Sequence, residues 1–393
     1  MKRFADVVLY DRVQGVHRGL PYVGMEHIES GTGVFLGIQD PVNVKSNTFR
    51  FDSRHVLYGR LRPYLNKVLS PTFEGHCSTE IFPLLPNPQL DREYLRHWLS
   101  SDEIVARINE TCTGARMPRA NMDAVSDFEV PVPPLPEQRR IVAILDEAFA
   151  AIATAKANTE KNLANARAVY ESHLHAVFSQ RDGEWAKQVP LEELTKEDSQ
   201  ITYGVVKPGE EGDVVFVRGG DLSRGRVLMH QLRTITSAFS QQYKRTLLRG
   251  GELLISLVGQ PGQVAVAPPE LAGANIARQV GLIRLRDSME AEFVRLFLES
   301  PVGQALLGAR QSGSVQQVIN LGELRQVRVP VPSKPTQVQV VARLEAFSAD
   351  TQRLEVLAHR KLAALDALRA SLLHHAFTGQ LTGSTKHRET ANA

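Results

Sequence analysis

Apolar positions step by three and four, uninterrupted by proline or glycine, over residues 137–182 and again over 336–378. In the first stretch they are Ile141, Leu145, Ala148, Ile152, Ala155, Thr159, Leu163, Ala166, Tyr170, Leu174 and Val177. In the second they are Val340, Leu344, Phe347, Thr351, Leu354, Ala358, Leu362, Leu365, Arg369, Leu373 and Ala376. Such spacing, held for about five heptads, is the signature of a coiled coil. Both stretches are rich in good helix formers. Pro136 and Pro335 stand at the first helical position, where a missing N–H costs nothing. Glu137 complements the N-terminal dipole, and Gly183 and Gly379 lie past the ends as stop signals. The pattern predicts long helices over 136–182 and 335–378, each ~60 Å long at 1.5 Å per residue. Neither stripe can stay in water, and helices of this length overrun a small domain. We therefore expect them to pair as an antiparallel coiled coil, the Ala-rich stripe against the Leu- and Phe-rich one. The alternative is that each packs only on its own globular part.

The remaining segments, 1–135 and 183–334, hold nearly all the Pro and Gly. Short β-rich runs such as His55-Val56-Leu57-Tyr58, Asp213–Val217, Leu253–Val258, Val264-Ala265-Val266 and Val280–Leu285 are separated by turn residues. Each segment then carries one helical stretch, about 92–109 and 291–307. The expected fold class is α+β, a curved sheet with helices. The two halves also repeat. Val130-Pro131-Val132-Pro133 recurs as Val329-Pro330-Val331-Pro332, an offset of 199 residues. Glu93-Tyr94-Leu95-Arg96 matches Glu292-Phe293-Val294-Arg295, Asn121 matches Asn320, and Phe178 matches Phe377 at the same offset. Further upstream the offset shifts: Tyr22–Ile28 resembles Phe216–Leu222. A repeat this long makes the chain two copies of one unit, with approximate two-fold symmetry. The expected domains are 1–135, 136–182, 183–334 and 335–378, then a flexible tail at 379–393.

Composition narrows the class. Its 393 residues suggest two to four domains, and 42% hydrophobic with 23% charged residues is globular. Two cysteines, Cys77 and Cys112, match neither a disulfide framework nor a metal-ligand spacing, which points to a cytoplasmic setting. No signal-peptide core or membrane-spanning run is present. The net charge of +3 hides uneven parts. Residues 1–135 carry 15 basic and 16 acidic side chains, whereas 201–334 carry 16 and 11. Arg outnumbers Lys 34 to 12, which fits either the holding of phosphates and guanine edges or a GC-rich source.

Catalytic signatures are missing. There is no Gly-x-Gly-x-x-Gly after a strand, no phosphate loop and no His-Glu-x-x-His, and Asn87-Pro88-Gln89 is not an amino-methyltransferase signature. His173, His175, His374 and His375 fall near helix ends, where they complement the dipole rather than bind metal. No metal site is expected.

The run Val130-Pro131-Val132-Pro133-Pro134-Leu135-Pro136-Glu137-Gln138-Arg139-Arg140-Ile141-Val142 resembles the start of the central spacer helix in specificity subunits of type I restriction-modification systems. Ala376–Thr382 resembles the end of that family's second spacer, and Leu61–Lys67 is similar to a loop common in its target recognition domains. Trp185 followed by Val189–Leu194 resembles the opening of a second such domain. Two departures stand out: Ser333–Gln339 lacks the acidic-Gln-Arg character, and Gly259–Gln263 replaces Arg62–Lys67.

The resemblance implies two tandem target recognition domains, each followed by a long helix, in a subunit that is not itself catalytic. It would bind an asymmetric bipartite target in double-stranded DNA and dock two methyltransferase subunits, with restriction subunits in the full enzyme. The chain would hold no cofactor; S-adenosylmethionine, ATP and Mg would serve the partners. Glu137, Gln138, Arg139 and Arg140 would dock partners. Two domains on a helical pair would act as a calliper on half-sites spaced by the DNA turn of ~34–36 Å. Phosphates are held by Arg, Lys and backbone amides, and bases are read by Arg, Asn and Gln. The DNA-contact candidates are therefore Arg60, Arg62, Tyr64, Asn66, Lys67, Arg116 and Arg119 in the first domain. In the second they are Arg218, Arg224, Arg226, Gln260, Gln263, Arg278, Gln279, Gln316 and Gln317. Tyr64 could equally be a core aromatic. A two-fold coiled-coil scaffold that never meets DNA is the alternative of another class.

Overall fold

The computed structural model describes residues 1–382 except 43, 115, 207–209, 309–310 and 313–317. Among the described residues no helix is long and apolar enough to cross a membrane. The chain divides into two compact units, Met1–Glu160 with His359–Ala393, and Lys161–Ala358. Each unit thus holds one globular segment and one half of each long helix.

In the first unit the expected sheet is built as two four-stranded ladders. One orders Val8–Tyr10, Ile81–Pro86, Val56–Gly59 and Val68–Leu69. The other orders Gln14–Gly15, Thr48–Phe51, Gly75–Cys77 and Tyr22–Val23. A single core, including Phe4, Phe51, Leu57, Ile81, Tyr94 and Trp98, fills the space between ladders and helices. The second unit repeats the plan. Thr202–Tyr203, Val280–Ile283, Leu253–Ser256 and Val264–Val266 form a four-stranded ladder, and Arg233–Ile235, Val214–Val217 and Asn275–Ile276 a three-stranded one.

The sequence repeat is also a repeat of strand register. Tyr22 pairs in parallel with His76, and Phe216 with Asn275. Gly59 pairs antiparallel with Ile81, and Ser256 with Val280. The expected single helical stretch is broken in both units, into Arg92–Leu99 and Asp102–Glu110, and into Ala291–Glu299 and Pro301–Gly308. The breaks fall at serines. Ser101 takes extended dihedrals as an N-cap, and Ser300, before a proline, accepts from the Gly303 N–H at 3.1 Å.

The long helices run Leu135–Phe178 and Lys334–Phe377, 44 residues each and offset by 199. The first stops before the expected residue 182; Gly183 instead opens a short 3-10 turn. Gly379 does terminate the second, at φ 78, with Gln380 and Leu381 N–H groups bonding back to His375.

The helices pair antiparallel within each unit. In the first, Arg369 lies 4.9 Å over the Phe149 ring and Lys156 pairs with Asp366. In the second, Tyr170 stacks on Phe347 at 6.0 Å and Arg167 meets Glu355 at 2.6 Å. Seam threonines Thr159 and Thr351 return their hydroxyls to the i−4 carbonyls. Leu354 departs from the expected stripe: it is 53% exposed, and Glu355 takes the inward place. A straight helix drifts from a strict seven-residue repeat, and here a step of four replaces a step of three.

Candidate nucleic-acid interface

In the first unit the loop between Val56–Gly59 and Val68–Leu69 is a single 3-10 turn, Pro63–Leu65. It is flanked by two left-handed residues, Arg62 (φ 52) and Asn66 (φ 47). Arg62 and Tyr64 face outward, and Tyr64 is 55% exposed, so it is not a core aromatic. Asn66 and Lys67 face inward. Asn66 Nδ2 donates to the Ser100 carbonyl at 2.9 Å, and Lys67 Nζ to the Met25 carbonyl at 2.6 Å. Both therefore brace the loop, rather than presenting their polar groups to DNA.

Residues 60–62 pair with the segment that follows helix Asp102–Glu110. Leu61 bridges to Arg119, the Arg62 N–H donates to Pro118 at 2.7 Å, and the Ala120 N–H donates to Arg60 at 2.9 Å. This pairing gathers Arg60, Arg62 and Arg119 on one edge. Thr113 also bridges to Arg119, and the hairpin so closed carries exposed Arg116. Glu80 organises the edge. Arg119 reaches it through Nε and Nη2 at 2.8–3.0 Å, and Arg60 Nε at 3.3 Å. The Arg119 hydrogen bonds hold the Glu80 carboxyl below its ordinary range, and Glu80 pushes the Arg119 guanidinium up in return. Behind them lies a cleft of about 370 Å3 lined by Tyr10, Arg12, Arg60, Phe82 and Arg119.

The second unit builds the same edge from different residues. Gln260 and Gln263 lie on the loop 257–263, which Ser256 braces by accepting from the Gln263 N–H at 2.9 Å. The Leu257 N–H donates to Gln279 at 2.7 Å, just as Arg60 donates to Glu80 at 2.9 Å. Val258 bridges to Val318, the counterpart of Leu61 and Arg119. Exposed Arg278 and Gln279 thus join Gln260 and Gln263. Gln316 and Gln317 lie outside the described residues.

Three residues expected there are engaged otherwise. Arg218 folds onto buried Asp221 at 2.8 Å and shapes its own turn. Arg224 pairs with Glu355 of the second long helix at 3.1 Å, and Arg226 shares with it a cleft lined by Glu292, Arg295 and Gln352. The structure does not bring Arg224 and Arg226 to the glutamine edge.

Among the expected docking residues, Arg139 and Arg140 are exposed, and Glu137 lies 3.9 Å from Arg140. Gln138 is fully buried. Its Oε1 accepts from the Asp91 N–H at 2.7 Å, and its Nε2 donates to the Gln89 and Pro133 carbonyls at 2.8 and 2.7 Å. Gln337, also fully buried, repeats this with the Glu290 N–H and the Ser288 and Pro332 carbonyls. All four positions are offset by 199. Gln138 is therefore a pin fixing its helix to its domain, and no partner can reach it; the second helix start has kept that glutamine.

The family model for the Type I restriction modification DNA specificity domain matches residues 15–164 and 196–360, most of the chain in two copies. The chain belongs to this type I specificity family. Among relatives, the specificity subunit of the Escherichia coli type I restriction enzyme EcoBI is 26% identical over 303 residues, covering 71% of the chain and 64% of the relative. The EcoDI subunit is 30% identical over 172 residues, 43% of the chain and 38% of the relative. The chain thus matches less than two thirds of the length of either. A solved chain from work on complex assembly and conformational transition of the type I R-M system shares the fold at a TM-score of 0.81 and 22% identity, covering 97% of both chains. The HsdS subunit from Thermoanaerobacter tengcongensis shares it at 0.61 and 22%, covering 97% and 96%.

Several residues of this specificity-family chain carry no simple sequence signal. Exposed Arg12 lies 5.1 Å over the Phe82 ring, as does Arg60, so both cations rest on one aromatic. Neither Arg12 nor Glu80 stands in a motif. The glutamine pins did have a signal, the shared offset of 199.

Proposed function

We propose that the chain is the DNA sequence-recognition subunit of a type I restriction-modification enzyme, each unit reading one half of an asymmetric bipartite duplex target. The observation that carries this reading is the repeated edge: one backbone pairing presents Arg60, Arg62, Arg116 and Arg119 in one unit, and Gln260, Gln263, Arg278 and Gln279 in the other. Guanidinium groups grip phosphates and guanine edges, while amides of glutamine read adenine. Two edges of different chemistry suit two different half-sites. Exposed Arg139 and Arg140 at the first spacer start, with Glu137, would meet modification subunits, two of them by the internal repeat. Methyl transfer from S-adenosylmethionine and ATP- and Mg-dependent cleavage would belong to modification and restriction subunits, in the cytoplasm. The scaffold alternative is not favoured by the family match.

The test is a salt titration of full-length chain on long mixed-sequence duplex. Arg62→Ala should weaken binding and flatten the slope of log affinity against log salt by about 0.9, the value of one lost phosphate contact. Absence of duplex binding at low salt, in the chain with or without a modification subunit, would contradict the proposal.

A further inference from the structure

The loops 60–67 and 257–263 occupy the same place in the two units. The Gly59 N–H closes the first on Lys67 at 2.9 Å, and the Ser256 N–H closes the second on Gln263 at 2.8 Å. Each loop is bounded by two left-handed residues. In the second unit these are Gly259 (φ 92) and Gly262 (φ 90), which adopt that conformation freely. In the first unit they are Arg62 and Asn66. A Cβ is disfavoured there. Asn66 recovers part of that through its bond to Ser100 and tolerates the region as Asn does. Arg62 has no such return: no hydrogen bond or ion pair of its guanidinium is found among the described residues, and it points to solvent. Where glycine serves in one unit, the left-handed arginine of the other leaves its guanidinium to solvent, whereas the left-handed Arg224 (φ 46) spends its own on Glu355.

What the strained turn presents is Tyr64. The turn is held by backbone bonds from Leu65 to Arg62 and from Asn66 to Pro63, and by the Gly31 N–H donating to Asn66 at 2.9 Å. A large, exposed aromatic is thus fixed on a pre-ordered support, beside Arg62. The same edge carries Arg60, Arg62, Arg116 and Arg119; Glu80 holds Arg60 and Arg119, and Asp123 lines the cleft behind them. Arg62 and Arg116 are left exposed, cations that suit a polyanion. The second unit's counterpart, Gln260-Pro261, has no aromatic.

We propose that Tyr64 is a stacking finger for the first half-site: its ring slides against a base step and partly unstacks it, while Arg62 holds the adjoining phosphate. This rests on the DNA-recognition reading above. Aromatic wedges of this kind kink duplexes, and base stacking on an aromatic side chain is worth roughly 5- to 150-fold in affinity.

The experiment selects tight-binding duplexes with the full chain from a pool with a randomised centre, then compares variants on the selected duplex. Tyr64→Phe should bind as the wild type does. Tyr64→Ala should bind roughly 10- to 100-fold more weakly with an unchanged salt slope, because no charge is lost. With 2-aminopurine scanned through the first half-site, fluorescence should rise on binding of wild type and Tyr64→Phe but not of Tyr64→Ala. Arg62→Gly, which relieves the backbone, should melt no lower than wild type yet bind more weakly. Equal affinity and equal fluorescence for Tyr64→Ala would overturn the finger while leaving DNA recognition standing. Intact duplex binding by Tyr64→Ala with lost co-purification of a modification subunit would overturn it in favour of a protein contact. If the pool yields no bound duplex, the functional reading itself fails.

Discussion

The amide of Gln138 makes three hydrogen bonds inside its own domain, and the first of them goes to Asp91, the residue that caps helix Arg92–Leu99. One side chain thereby ties the start of a long helix to the cap of a short one. Truncation would remove all three hydrogen bonds at once, each worth about 0.5–1.5 kcal/mol net. Gln138→Ala should therefore destabilise the chain by about 2–4 kcal/mol in urea unfolding, with the salt slope of DNA binding unchanged. A changed slope with unchanged stability would return Gln138 to the surface. The role is hard to read from sequence because the neighbours, Glu137, Arg139 and Arg140, are all charged. A single glutamine among them gives no local sign of burial, and only its recurrence at 337 does.

At the scale of elements, the long helices were legible because their periodicity is local, while the strand ladders were not. Which strand meets which depends on contacts far apart in sequence, and nothing in residues 1–135 says that Tyr22 pairs in parallel with His76. The pairing of 60–62 with 118–120 is equally non-local, yet it assembles the candidate site. The one misplaced stripe residue follows from the same limits. The seam is set by packing, so Glu355, flanked by Arg167 and Arg224, displaces Leu354 outward. Leu344, fully buried, should cost about 2–5 kcal/mol when cut to Ala, whereas Leu354→Lys should be nearly silent in the same urea melts.

A second element-level expectation concerns helix Ala291–Glu299. Burial pushes the Glu299 carboxyl up to about 7 from 4.5, against the pull of Arg295, so the folded chain favours its protonated form. The stabilisation is full below the ordinary carboxyl range and is lost as pH rises through about 7. Wild type should then lose on the order of 1–3 kcal/mol between about pH 5 and about pH 8 from this group, and Glu299→Gln should remove that slope. Parallel pH profiles for the two proteins would contradict the assignment.

At the scale of the whole molecule, one fold unit is used twice with a shared strand register and different side chains at the same edge. The order of parts, a globular segment and then a long helix, twice over, was visible in the sequence as an offset of 199. The family likeness rested on the run at Val130–Val142, and the family match over both copies agrees with it. Candidate contact residues were only half legible, because composition cannot tell an outward Arg62 from an inward Lys67 five residues later. The central claim is that each unit reads its own half of the target. It is tested most directly by mapping modified adenines in cells that express the chain with type I modification subunits, beside the double variant Gln260→Ala, Gln279→Ala. The account predicts a two-part motif for the wild type, and a variant motif relaxed in one half alone with the other half and the spacing unchanged. A single uninterrupted motif, or simultaneous relaxation of both halves, would contradict it.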